Sequence, residues 1–283
     1  MLALAFGIFG LIVGSFLNVI ILRHGVRSIG GRSGCMSCGR QLPWYDMVPV
    51  FSWFALGGRC RMCRGRISVQ YPLVEAATGV SFAAIGYWVS TPSFSSSLVG
   101  EILVALYLGI VALLICIAAY DFLHTIIPDE WAYLFAGLAL VSGFFAPSPA
   151  GYNTWELVLA GPIAAAPLFG LWLFSRGQWM GLGDAKLTLG IGWLLGPILG
   201  LLAVFGAFVT GAVISLILLF FSSEQWRKIM RLLTPTSISQ RPAWGFTMKS
   251  EIPFGPFLIC SCIIIWFASL YGIDTLRIFG PLL

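Results

Sequence analysis

Residues 102 to 129 read ILVALYLGIVALLICIAAYDFLHTIIPD, nineteen residues without a charge that stop at Asp121. A hydrocarbon core about 30 Å thick needs about 20 apolar residues per crossing helix. The run therefore predicts a transmembrane helix that ends on a carboxylate. The whole chain has the same character: 59% of its 283 residues are hydrophobic and 10% are charged, which excludes an ordinary soluble globular domain.

Apolar windows, several of them of that length, predict about eight transmembrane helices, at 2 to 22, 72 to 90, 102 to 120, 131 to 147, 155 to 175, 187 to 196, 198 to 221 and 254 to 272. The sixth is too short to cross alone as a straight helix. Gly196-Pro197 divides 187 to 221 in two, because proline lacks the amide hydrogen and clashes with the preceding turn, so this run reads as an uneven hairpin. The fold class is an all-α integral membrane protein.

Charge placement supports this count, since short cytoplasmic loops collect Lys and Arg. Fifteen of the sixteen basic residues fall on one predicted side: eight arginines between 23 and 71, then Arg176 and Lys186, then Arg227, Lys228, Arg231, Arg241 and Lys249 in the 222 to 251 loop. The loops at 91 to 101 and 147 to 154 have none, and Arg277 lies in the C-terminal tail. Both chain ends are expected outside. The first apolar segment has no basic region before it and no small-residue cleavage site after it, so it reads as a retained helix rather than a signal peptide. The net charge of +5 reads as topology and contact with anionic lipid, with no case for nucleic acid.

Four of the seven cysteines form Cys35-Met-Ser-Cys38 and Cys60-Arg-Met-Cys63. Two C-x2-C knuckles at this separation match a zinc-ribbon-like loop, each pair giving two thiolates to a tetrahedral ion. In the reducing cytoplasm, metal binding is the commoner use of such a pattern than a disulfide or redox dithiol. Gly34, Gly39 and Gly65 flank the knuckles and suit their tight turns. Cys116, Cys260 and Cys262 lie inside apolar windows and read as buried packing residues.

Of eleven acids, most have structural explanations. Asp129 and Glu130 follow Pro128 at an expected helix start, where negative charge is favourable. Asp184 of GLGDAK, 181 to 186, suits an N-cap for a helix beginning near Ala185, with Lys186 as a screening partner. Asp121 serves no helix start, and an ionisable group at the membrane edge is a functional hypothesis by default. Asp121 closes the third span and Asp184 opens the sixth, so both fall at one edge of the bilayer and can meet. Two close carboxylates share a proton, one activating water and the other protonating a peptide carbonyl, which is aspartic protease chemistry. Gly181 and Gly183 allow a sharp turn before Asp184. His124 is the alternative base, although a lone histidine near a helix end is more often a surface residue.

These motifs, together with GSFLNVIILR (14 to 23), WYDMVPVFSW (44 to 53), GRISVQYPLVEAATG (65 to 79), D-x6-P-D (121 to 129) and IPFGPFL (252 to 258), resemble the type IV prepilin peptidases. The chain departs from that family's pattern at Met36 and at Arg23-His24-Gly25. Hydropathy and the cysteine spacing divide the chain into a first helix at 1–22, a four-Cys zinc loop at 23–71 and a polytopic membrane part at 72–283, which the resemblance makes the peptidase core. The resemblance also implies that Asp121 and Asp184 are the catalytic pair and that the enzyme sits in the prokaryotic cytoplasmic membrane. There it would cleave the basic leader of prepilins or pseudopilins after a glycine and then N-methylate the new terminus with S-adenosylmethionine. Asn18 and Glu75 are candidates for that second activity; as alternatives, Asn18 is an interhelical polar contact and Glu75 a charge at the membrane edge. The competing readings are a peptidase with a purely structural zinc loop, a non-enzymatic membrane assembly factor, and an ion transporter, which lacks a charged path across the chain.

Overall fold

The computed structural model describes residues 1–25, 28, 30–92, 94–145, 153–222 and 253–273. The basic residues of the 222 to 251 loop, Arg27, Arg277 and most of the 147 to 154 loop lie outside the described residues.

Among the described residues, eight helices of fourteen residues or more fall in the eight apolar windows. They are α1 (Leu2–Arg23), α3 (Gln70–Val89), α4 (Leu98–His124), α5 (Asp129–Phe145), α6 (Thr154–Ser175), α7 (Leu182–Leu195), α8 (Pro197–Ser222) and α9 (Gly255–Leu270). A short helix, α2 (Phe51–Ala55), lies in the cysteine loop. Among the described residues, α1, α4, α6 and residues Pro197–Phe220 of α8 are long and apolar enough to cross a membrane, and α9 is a shorter apolar helix. Helices α3, α5 and α7 do not meet that measure: α3 carries Pro72 and the charged Glu75 in its first turns, α5 has only 17 residues, and α7 has 14 that include Asp184 and Lys186.

The expected break falls at Gly196, which adopts φ 83° and ends α7 before Pro197 opens α8. The chain folds back there: a Cβ on Gly200 would lie 3.1 Å from the Gly192 Cα, atoms that a continuous helix would hold about 12 Å apart at 1.5 Å per residue. This is the hairpin that the proline predicted.

Close packing of helices rests on small residues, since lipid offers no hydrophobic drive between helices. Along the antiparallel α1–α3 seam, Cβ atoms on Gly10 and Gly14 would stand 2.7 Å from Phe82 Cβ and from Glu75 Cα. Gly14→Leu should therefore overpack the seam and destabilise by about 1–3 kcal/mol, read as a lower melting temperature of the solubilised protein. Gly109→Leu, where nothing lies within 4 Å, should be neutral. Helix α4 runs through the centre, contacting α1, α3, α5 and α9, with Ile110, Val111, Leu114 and Ile117 fully buried. Cys116 and Cys262 are buried as expected, but Cys260 is exposed on α9. Its neighbour two positions on takes the inward direction of the helix, so both cannot.

Candidate active site

Helix α4 runs past Asp121 to His124 and stops at Thr125, a residue in the left-handed region whose amide bonds the Asp121 carbonyl. Asp121 thus sits in the last turn of its helix, buried to 4% exposure, at the end where the macrodipole disfavours a carboxylate. Asp184 sits in the first turn of α7, where the dipole favours one. The helix starts three residues earlier than expected, with Gly181 as N-cap, so Asp184 is a first-turn residue and not the cap.

The two side chains line one cleft of about 450 Å³ and lie within Coulombic reach of each other. Thr125, Ile126 and Ile127 from the α4–α5 turn, Gly181 to Gly183, and Pro253 and Phe254 before α9 complete its inner wall. His124 does not line this cleft; it is exposed and packs against Tyr120 in a tilted pair, with ring centroids 4.4 Å apart. Lys186 and Asp129 also line the cleft and pair with each other at 2.7 Å, and the Lys186 ammonium lies 5.2 Å from the Tyr133 ring centroid. Its expected screening role is therefore corrected: it ties the start of α5 to α7. Asp129 is 62% exposed, so Lys186→Met should cost less than about 1 kcal/mol, checked by thermal melting.

IPFGPFL, at 252 to 258, carries no titratable or nucleophilic side chain that would mark it as part of a site. The structure brings Gly255 to Asp121, its amide donating to Oδ2 at 3.1 Å. Only the pairing of a carboxylate with a distant glycine-proline motif at the same membrane edge could have suggested this contact.

The second site is built from two matching knuckles. Cys35 and Cys60 amides bond the Arg40 and Gly65 carbonyls, and Gly39 and Arg64 amides return to Cys35 and Cys60. The residue four places after each first cysteine has positive φ: Gly39 at 69° and Arg64 at 60°. Glycine meets this need in the first knuckle, whereas in the second an arginine does. Gly65 is instead required by close contact, since a Cβ there would lie 2.8 Å from the Ser37 hydroxyl.

The four sulfurs lie within 4.8 Å of one another, with Cys35 and Cys63 at 3.7 Å. Tetrahedral ligation at about 2.3 Å from metal to sulfur gives sulfur pairs about 3.8 Å apart, so these residues can hold a metal. Amides of Cys38 and Ser37, and then the neighbouring sulfurs, bring Cys35 down to about 6, leaving a thiolate ready at neutral pH. The Gly65 amide also favours a thiolate at Cys63, but desolvation and hydrogen bonding to Cys60, Cys35 and Cys38 push it up to about 11. A metal-free cluster therefore keeps at least one proton, which an incoming cation would displace.

The loop is fastened to the membrane helices through Glu75. Its Oε2 accepts the Val50 amide at 2.7 Å, and Val50 opens α2 at φ 62°, an unfavourable conformation for a β-branched residue. Within the loop, Arg61 grips Asp46 through Nε and Nη2 and covers the Tyr45 ring. Asn18 bridges α1 and α3 by donating to the Gly14 and Tyr71 carbonyls, while its buried Oδ1 has no partner. Both candidates for the second activity thus have structural duties at the seam below the cysteine loop.

Residues 8–89 match the family model for the bacterial peptidase A24 N-terminal domain, and residues 108–216 match that of the type IV leader peptidase family. A prepilin leader peptidase/N-methyltransferase of Vibrio cholerae is 30% identical over 282 residues, covering 93% of this chain and 95% of the relative. One from Burkholderia pseudomallei strain 1026b is 33% identical, covering 90% of this chain and 82% of its own length. One from Myxococcus xanthus is 34% identical over 226 residues, which span 77% of this chain and 59% of that protein. No solved structure matches the chain. With both family models in sequence order and the Vibrio cholerae relative matched over 95% of its length, the chain belongs to the type IV leader peptidase family.

Proposed function

We propose that this protein is a membrane aspartic endopeptidase of the prokaryotic cytoplasmic membrane. It cleaves the basic leader of type IV prepilins or pseudopilins after a glycine and then N-methylates the new terminal residue. The observation that carries this reading is the convergence of Asp121 and Asp184, 63 residues apart in sequence, on one cleft at the helix ends. One carboxylate, ionised, takes a proton from water as it attacks the scissile carbonyl. The other, protonated, donates to the carbonyl oxygen. A substrate whose leader precedes an apolar helix can lie in the bilayer and present the junction to this cleft.

Four thiolates at tetrahedral spacing favour Zn2+ as the ion of the cysteine loop, and four protein ligands leave no position for water, so its role is structural. S-adenosylmethionine would supply the methyl group. The protein's share of that step is to hold the new amine near the α1–α3 seam and the cysteine loop above it.

The test is mass spectrometry of a peptide with a basic leader ending in Gly-Phe, incubated with purified protein and S-adenosylmethionine. Cleavage after glycine with gain of one methyl on phenylalanine is expected. Cleavage without methylation would reduce the reading to a peptidase, and no cleavage by folded protein would shift it to a membrane assembly factor.

A further inference from the structure

Asp121 lies at the end of α4 that disfavours negative charge, yet its carboxylate is buried. What faces it is the opposite end of another helix. Gly255 is the first residue of α9, its amide has no acceptor within that helix, and it donates to Asp121 Oδ2. The positive end of the α9 dipole therefore meets the carboxylate that the α4 end repels.

The residue at this position is confined to glycine. A Cβ on Gly255 would stand 2.5 Å from Asp121 Oδ2, 3.2 Å from its Cγ and 3.3 Å from Ile127 Cδ1. Ile127 in turn fills the space beside Gly183, whose Cβ would lie 3.1 Å from the Ile127 Cβ. One isoleucine thus separates the glycine next to Asp184 from the glycine bonded to Asp121. Three distant segments, the α4–α5 turn, the GLGD turn and the start of α9, lock together around the two carboxylates.

We propose that Gly255 is a positioning residue for Asp121. Its amide fixes the rotation of the carboxyl group, and its missing side chain lets α9 approach closely enough to do so. This rests on Asp121 being one of the catalytic pair. A methyl group at 255 must turn the carboxylate or displace α9 until a 2.5 Å approach opens to ordinary van der Waals contact, a shift on the scale of 1 Å that can cost about 10²-fold in rate.

Gly255→Ala should lower kcat for leader cleavage by about 10²-fold with a much smaller change in KM, since the added methyl group meets the Asp121 carboxylate first. The same variant, given a peptide already cleaved to an N-terminal phenylalanine, should methylate it at the wild-type rate, which a general loss of structure would not allow. Gly211→Ala, where a Cβ meets Phe257 at an ordinary 3.5 Å, should change neither activity. The contact is also tested without catalysis by a cycle of melting temperatures. Gly255→Ala should destabilise the wild-type protein clearly more than it destabilises Asp121→Ala, in which the obstructing carboxylate is gone and only the Ile127 contact remains. Equal destabilisation in both backgrounds, or wild-type kcat in Gly255→Ala, would overturn the proposal. A wild-type protein that cleaves nothing would sink the peptidase reading, while the melting cycle would still decide the Gly255–Asp121 contact.

Discussion

Asp184→Asn is expected to abolish leader cleavage, with a fall of at least about 10³-fold in kcat, and Asp121→Asn should do the same. Positioned proton transfer contributes about 10²–10⁴-fold, and in a carboxylate pair each member has a separate task, so losing either stops the step. The amide substitution keeps volume and shape. In Asp121→Asn the side-chain oxygen can still accept the Gly255 amide, so the bond to α9 survives and the lost function is chemical. In Asp184→Asn the first turn of α7 loses a favourable charge worth about 0.3–1 kcal/mol, too little to unfold the protein. The measurement is peptide cleavage by mass spectrometry beside a melting curve. Normal cleavage in either variant would remove the pair from the mechanism. His124→Ala should cleave like the wild type, because that ring lies outside the cleft.

Cys60→Ser should empty the cysteine loop of its metal and unfold it. Cys60 is 4% exposed, and its backbone closes the second knuckle in both directions. Small metal-held folds draw most of their stability from the ion, about 10–16 kcal/mol in zinc-finger peptides, and this loop has little else. Among the described residues it contains only α2, one 3-10 turn and two isolated bridges. Zinc content should drop from one ion per chain to none, and residues 24 to 69 should become sensitive to protease. Methylation should fail while leader cleavage persists, since the Asp121–Asp184 cleft is built from α4, α7 and the turns beside them. Retained methylation in a metal-free variant would assign the loop a purely structural role, and loss of cleavage would show that the loop supports the cleft.

Much of the architecture was legible because membrane helices obey local rules. An apolar window of the right length must satisfy its backbone internally, so it becomes a helix wherever the chain places it. Pro197 breaks its helix by its own ring. The C-x2-C pairs were legible for a similar reason, as four thiolates at that spacing have few other uses. The two carboxylates stood out because charge is costly in such surroundings.

Other assignments could not be made at that level. Lys186 lies beside Asp184 in sequence but pairs with Asp129, because the first turn of α7 points its residues in different directions and α5 happens to begin where Lys186 emerges. Arg64 rather than Gly65 takes the left-handed turn, because ring closure around the sulfurs decides which residue must bend. Asp184 became a first-turn residue because α7 began three residues early, at a glycine that tolerates the cap position.

The sequence by itself determined that this chain is a bundle of membrane helices with a four-cysteine loop and two carboxylates at one edge, since length, polarity and spacing act through neighbouring residues. Only the tertiary structure decided what each carboxylate touches. Glu75 holds the cysteine loop through Val50, Asp129 holds Lys186, and Asp121 meets the amide end of a helix 134 residues away. Such contacts depend on how closely helices approach, and that distance is set by glycines whose partners lie on other helices.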